Sequence, residues 1–512
     1  MKSLDAIAWS LPSKAAFGKL LKVFEPTFGV KYKAGKVQRV EVLDNADWDL
    51  WHSGVSLAKF SARDYVLMTG SRELSATIKS PARFWWDFPE GECRALLKKF
   101  SPLRALLPTA MIRFAVHRYE LLNDDEKVVV RIKLIQHYSA ESQQSRKIIG
   151  LHLEAIPLIG YEEYYRQAIE LIEKAQFTGS ALPGLQQMLL AQGITVKPKS
   201  PKQFGLTESM PAEQAVRTMG LTLLRLAQEQ QQGLLGDIDT EFLHQYRVYL
   251  RKLRSLITLL KSCLAPTCQT ALKKQLSTIF TPTSRLRDLD VFLLDRHRYE
   301  AMLPEEFLEG LNKLFNHISR ERQQCQKALT RLLKTKAYQD LVYQDKVKSV
   351  AALLSQAPDF DSEESQLPIK DIARQRIVSR YRKVCRRGKG MDDNTSDAEV
   401  HQLRIDCKKL RYLLEFFAEL FPKKTLKPLL KQLKSLQDIL GQFNDYSVQQ
   451  KFLSTLAAKE KNKAALAAIN GLIAILYQQQ RQTRSRVRDA VVQFSATKTI
   501  EAFAVLSTTN DE

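Results

Sequence analysis

A chain of 512 residues is too long for one hydrophobic core, since domains of about 100–200 residues are usual, so two to four domains are expected. Its 44% hydrophobic content is ordinary for a globular protein, which excludes a largely disordered chain. The net charge of +22 favours a polyanionic partner: nucleic acid, an anionic membrane surface or a phosphate polymer.

The N-terminal apolar run is interrupted by Asp5, Pro12 and Lys14, a poor pattern for a signal peptide. Short runs or alternation then predict strands at VQRVEVL (37–43), DYVLMTG (64–70), MIRFAVHRYELL (111–122), KVVVRIKLIQHY (127–138) and IIGLHLEAI (148–156). An amphipathic helix is expected over 160–177. Gly179, Pro183, Gly184 and KPKSPKQFG (197–205) read as a linker. From about residue 211 the leucines recur at three- and four-residue spacings, which predicts helices of roughly 15–30 residues packed as bundles. Breaks are expected at 233–237, 280–284, 303–306, 357–368, 386–397 and 421–424.

No stretch reaches the roughly 18 uncharged apolar residues of a spanning helix, so no membrane insertion is expected. The six cysteines (Cys93, Cys263, Cys268, Cys325, Cys385 and Cys407) form no CxxC pair and no zinc spacing. A soluble protein of the reducing cytoplasm fits them best.

The helical region is duplicated. A shift of 157 positions carries His244, Arg247, Arg251, Lys252, Leu253 and Arg254 onto His401, Arg404, Lys408, Lys409, Leu410 and Arg411. Arg217 falls on Arg374. Further on, RLRDLDVFLL (285–294) parallels LGQFNDYSVQQ (440–450), with Asp290 set opposite Asp445. Repeat halves of about 211–356 and 366–490 follow, related by a pseudo-twofold axis.

Helix geometry puts positions i, i+3, i+7 and i+10 within an arc of about 80°. His244, Arg247, Arg251 and Arg254 therefore share a face, as do His401, Arg404, Lys408 and Arg411, with Lys252 and Lys409 beside it. Such a row is about 15 Å long and suits a row of phosphates, because guanidinium groups pair bidentately with phosphate oxygens and lysines add point charge. One basic face is most often merely solvated. Periodicity asks only for leucines, however, and here the same histidine and the same cations occur twice. Arg285 and Arg287 are placed to add to the surface. Asp288, Asp290 and Asp445 read as caps or arginine partners. In the most basic helix (374–387), Arg376, Arg380 and Arg387 share a face with Lys383 near it, either extending the surface or solvated.

At HQYRVYLRKLR (244–254) and HQLRIDCKKLR (401–411) the sequence resembles the CHAD family, the conserved histidine α-helical domain. RLRDLDV and LGQFND resemble its second signature, although the first copy lacks the glycine of the second. The resemblance spans about 205–490. It implies an all-α domain of two helical bundles about a pseudo-twofold axis, whose basic surface binds inorganic polyphosphate without catalysis. The first 175 residues are similar in outline to the CYTH family, a triphosphate-tunnel fold of antiparallel β-barrel type. VLDNADWDLWHSGVSLAKF (42–60) resembles one of its segments, with Asn45 where the family has threonine. The family's Glu-x-Glu-x-Lys is absent, GVKYKAG (29–35) holding no glutamate. Lys79, Arg113, Arg118, Arg131, Lys133 and Glu154 remain candidates to line the barrel.

The resulting expectation is a degenerate CYTH-like domain (1–200) followed by a CHAD domain (205–512) that binds polyphosphate and targets or scaffolds it, including at polyphosphate granules. The expected contacts are His244, Arg247, Arg251, Lys252, Arg254, Arg285, Arg287, His401, Arg404, Lys408, Lys409 and Arg411. No cofactor is expected, and a divalent metal only if the N-terminal domain is active. The alternatives are a metal-dependent triphosphatase or nucleotidyl cyclase in the N-terminal domain, and nucleic-acid binding, disfavoured because aromatics are not interleaved along the basic face.

Overall fold

The computed structural model describes residues 6–496 apart from 71, 140–146, 181–183, 197, 199–202, 343–348, 356–361 and 393–394, and beyond them 499, 501 and 503. The chain forms two compact units, residues 1–200 and 201–512.

The first unit is an antiparallel sheet with five helices. Its elements are β1 (Ile7–Ser10), α1 (Lys14–Phe24), β2 (Gly29–Lys33), β3 (Gln38–Asp44), α2 (Asp49–His52), β4 (Val55–Lys59), β5 (Asp64–Thr69), β6 (Arg72–Thr77), α3 (Glu92–Phe100), β7 (Leu107–Leu122), β8 (Val128–Tyr138), β9 (Ile148–Pro157), α4 (Glu162–Lys174), β10 (Thr178–Ser180) and α5 (Gly184–Ala191). The strand order is β10-β1-β9-β8-β7-β3-β4-β5-β6, with β2 also on β7. Among the described residues no ladder joins β6 back to β10.

Strand alternation sorts the apolar residues to two faces. On one, Leu121, Val130, Ile132, Leu134, Leu153 and Ala155 bury Phe17, Leu20 and Phe24 of α1 and Tyr165, Ala168 and Ile172 of α4. On the other, Val40, Val42, Ala58, Ile112, Phe114 and Ile135 pack on Leu185, Met188 and Leu189 of α5. The latter face is concave. Lys133 of β8 reaches Glu73 of β6, well separated in the order, at 3.4 Å, which requires the sheet to curl. Gly184 was expected in a linker and instead opens α5, because the 185/188/189 spacing gives that helix an apolar stripe. Pro183 and most of 197–202 lie outside the described residues.

The cations expected to line the barrel part company. Register places Arg118, Lys133 and Glu154 side by side on the concave side, where Lys133 bridges Glu73 and, at 3.7 Å, Glu154. Arg131 pairs with Glu120 at 3.9 Å, Arg113 donates to the Ser139 carbonyl at 3.2 Å, and Lys79 is exposed beyond β6. Asp44 accepts from the Leu50 and Trp51 amides at 3.1 and 2.9 Å, which makes it a turn anchor.

The second unit is helical throughout: α6 (Ala212–Glu229), α7 (Gln231–Leu235), α8 (Thr240–Leu259), α9 (Pro266–Phe280), α10 (Ser284–Leu294), α11 (Arg296–Glu300), α12 (Leu308–Leu333), α13 (Lys336–Val342), α14 (Val350–Ser355), α15 (Glu363–Gln366), α16 (Ile369–Lys389), α17 (Asp397–Phe416), α18 (Lys423–Ala457) and α19 (Lys463–Phe494). No helix among the described residues is long and apolar enough to cross a membrane. Two expected breaks shrink: α16 runs on to Lys389, and Ser362 caps α15 by accepting from the Ser365 amide at 3.1 Å. Residues 356–361 and 393–394 lie outside the described residues.

The 157-position shift carries the bounds of α8 onto those of α17, and the first residues of α6 and α9 onto those of α16 and α18. The contacts obey the same rule. Ala212 N–H donates to Leu367 O at 3.0 Å, and the equivalent Ile369 N–H donates to Met210 O, the equivalent of Leu367, at 2.9 Å. Pro211 bridges Pro368, its own equivalent. Reciprocal contacts, with equivalent residues meeting each other, define a twofold relation. The copies differ at one joint. The α18 helix is continuous over 35 residues, whereas its counterpart breaks at Thr281–Thr283 around Pro282 into α9 and α10. The copies also share a core, in which Leu289, Phe292, Leu314, Phe315 and Ile318 pack with Leu453, Ile469, Leu472 and Leu476.

Candidate functional site

Helix α8 starts at Asp239, whose carboxylate accepts from the Glu241 and Phe242 amides at 3.0 and 3.1 Å. Helix α17 starts with a capping box between Ser396 and Glu399. Leu243, Leu250, Leu253 and Leu256 on α8, and Leu403, Leu410, Leu413 and Leu414 on α17, are buried. That burial fixes the rotation of each helix and turns the repeated cations to the opposite side. The two helices pack against each other, so the two basic rows meet.

Where they meet, like charges are crowded and half-buried. Arg247 is 8% exposed, lies over the Phe280 ring at 4.1 Å, and donates to Thr283 and, at 3.2 Å, to Ser284. Burial, then Arg251 and Arg287, push its pKa down to about 10 against the pull of Asp288. Arg404, its equivalent, is lowered by burial and by Arg251, with Asp445 at 3.8 Å opposing. Burial also lowers Arg287, and Arg251 adds to it, while Asp290 and Glu241 oppose. Lys408 falls to about 8 through burial and the charges of Arg404, Arg251 and Arg411. Arg251 and Lys408 are equivalent residues that face each other, so the pseudo-twofold axis passes through the cationic centre. The Nε–H groups of Arg247 and Arg404, again equivalent, are buried with no acceptor. The same donor is thus left without an acceptor at equivalent positions of the two copies.

The rim has its own partners. Lys252 crosses to Glu415 of the other copy at 2.8 Å, and Arg411 reaches the same carboxylate at 2.6 Å. Burial pushes Glu415 up, but Lys252 and Arg411 outweigh it and hold the carboxyl below its usual value. Arg411 also donates to Gln437 at 3.3 Å, while Arg254 lies over Phe280 at 5.5 Å. Gln437 and Phe280 are themselves equivalent, so one position supports the same arginine in both copies by different chemistry. His401 Nδ1 meets Asn444 Oδ1 at 2.6 Å and ties α17 to α18 beside Asp445. His244 stands at the same turn of α8, half-buried.

Other expected contacts lie apart from this centre. Arg285 is held by Glu321 through two bonds of 2.7 and 2.8 Å and lies over Phe452. Lys409 faces Arg380, Asp406 and Lys383. Arg380 and Arg387 clamp the fully buried Asp406 at 3.0 Å each, and Arg376 binds Glu364 and Ser262, so the most basic helix spends these arginines inside the domain. The pairing of Asp290 with Asp445 is corrected. Asp290 is buried against Arg322 at 2.9 Å, and Asp288, 157 positions before Asp445, faces Arg247 as Asp445 faces Arg404. The sequence reading missed Glu415, Phe280 and Gln437; carrying the 157-position shift through to 280 and 437 would have flagged the last two. No group of three or more His, Cys, Asp or Glu side chains that could hold a metal occurs among the described residues.

Residues 220–454 match the family profile described as the CHAD domain. Among solved structures, the CHAD domain from the plant Ricinus communis aligns at 25% identity and a TM-score of 0.48, covering 57% of this chain and 95% of that one. PptA from Streptomyces chartreusis aligns at 16% identity and a TM-score of 0.40, covering 55% and 99%. No curated protein sequence matches the chain.

Proposed function

The helical unit carries a CHAD domain over residues 220–454, and from that premise we propose that the protein binds inorganic polyphosphate where α8 and α17 meet, as a non-enzymatic binding or scaffolding protein. The supporting observation is the crowding of Arg247, Arg251, Arg287, Arg404 and Lys408, four of which are pushed toward neutrality by burial and by one another. Such a cluster is destabilising when empty. A polyanion supplies acceptors for the orphaned Nε–H groups and relieves the repulsion. Binding to polyphosphate granules follows from the same contacts.

A metal-dependent reaction in the first unit is the less favoured reading. Its concave face is filled by α5 and apolar side chains, and the charged group there sets Lys133 between Glu73 and Glu154 with Arg118 alongside. Those residues do not fit a divalent ion held against phosphates, which needs several carboxylates.

The test is a titration of the protein with long-chain polyphosphate at near-physiological salt, with RNA as competitor. A folded variant carrying Arg251→Gln, Arg254→Gln, Lys408→Gln and Arg411→Gln is run beside it. Binding that RNA does not displace and that the variant loses is expected. Binding unchanged in the variant overturns the proposal.

A further inference from the structure

Beyond the meeting of the two basic helices, the first half of α18 carries a charge pattern that the fold does not use. Residues 423–437 hold five lysines (Lys423, Lys424, Lys427, Lys431 and Lys434) and no aspartate or glutamate. All five are exposed, and none makes an ion pair among the described residues. A solvated helix ordinarily sets acids three or four residues from its lysines, which lowers self-repulsion. Here only Lys434 has an acid so placed in the helix, Asp438, and the repulsion among the other four is left standing.

The row is aimed at the site. Helix α18 runs antiparallel to α17: Asn444 meets His401, Asp445 meets Arg404, and Gln437 meets Arg411 and, at 2.7 Å, the Cys407 carbonyl. At 100° per residue, Lys423, Lys434 and Lys427 fall within about 80° of Gln437, on the side of Asp445. They therefore continue the face that borders the cationic centre and extend it by about 20 Å along the helix. The first copy has no such row, since Pro266, Thr270 and Ser277 stand at the equivalent positions.

We infer that Lys423, Lys427 and Lys434 form a one-sided track that carries a long polyanion away from the α8–α17 centre along α18. This rests on the polyphosphate reading and adds where the chain leaves and why length matters. A short phosphate oligomer fills the centre alone, whereas a long one also neutralises the track.

The experiment compares tripolyphosphate with long-chain polyphosphate on the full chain. Three proteins are used: the wild type, the variant Lys423→Gln/Lys427→Gln/Lys434→Gln, and a charge-matched control, Lys459→Gln/Lys461→Gln/Lys463→Gln, in the turn beyond the far end of α18 and at the first residue of α19. Glutamine keeps the helix, being nearly as good a former as lysine. For the track variant we expect a loss on the order of tenfold with the long chain, a flatter salt dependence and tripolyphosphate affinity held within about twofold, with the control unchanged. Equal losses for both ligands, equal losses in the control, or no loss overturn the track while leaving the centre intact. A wild type that binds neither ligand overturns both readings.

Discussion

Lys408 shows what crowding cations costs a fold. Its ammonium titrates near 8 in the structure against an ordinary 10.5, because burial and the neighbouring arginines disfavour the charged form. Between those values the unfolded chain holds the additional proton, so Lys408 makes the protein more stable as pH rises through that window. Lys408→Met is expected to raise Tm at pH 7, to remove that rise with pH, and to weaken polyphosphate binding, all readable by thermal melts and titration. Wild-type affinity should hold below pH 8 and fall above it as Lys408 loses its proton. Glu415 works in the opposite sense. It already neutralises Lys252 and Arg411, so Glu415→Gln is expected to tighten binding several-fold, measured by the same titration. Sequence made the shared face of Arg247, Arg251, Arg404 and Lys408 legible, since helix period alone places them. It did not reveal that Glu321 on α12 holds Arg285, because a partner 36 residues away leaves no local periodic trace.

At the scale of elements, two contacts decide how the helices sit. Asp406 is the hinge pin between α16 and α17, fully buried and clamped by Arg380 and Arg387. Asp406→Ala leaves both guanidinium groups without their carboxylate, and a loss on the order of 3 kcal/mol in denaturant unfolding is expected. Gly310 lets α12 approach the start of α19 so closely that a Cβ would overlap the Ala464 carbonyl. Gly310→Ala should cost about 1–3 kcal/mol through displaced backbone, read in the same melt. The helix pair α8 and α17 was readable from its leucine spacing and repeated cations, but its caps, Asp239 and Ser396, were not singled out in the sequence. Short strands such as β1, β4 and β10 were not, because few-residue segments carry no period and are set by their ladder partners.

For the whole molecule, each unit has its own buried core. Two thermal transitions are expected, and polyphosphate should raise the one that belongs to the helical unit while leaving the other in place. A single transition, or an equal shift of both, would show that the units unfold together. The texture change near residue 211 announced the helical part. The curl of the sheet and its filling by α5 depend on long-range packing, which alternation along a strand does not encode.

The axis through Arg251 and Lys408 has a further meaning. A linear polyphosphate has no head or tail and reads the same from either end, whereas a nucleic-acid strand has a direction. Cations related by a twofold offer the same contacts to a strand laid either way round, so a polymer without polarity finds two equal poses in the central cluster, and every shift by one phosphate gives another register. A directional strand turned end for end by the same twofold meets the same contacts too, so the axis by itself does not choose between polymers. The lysines of α18, present in one copy only, are where the protein breaks that equivalence.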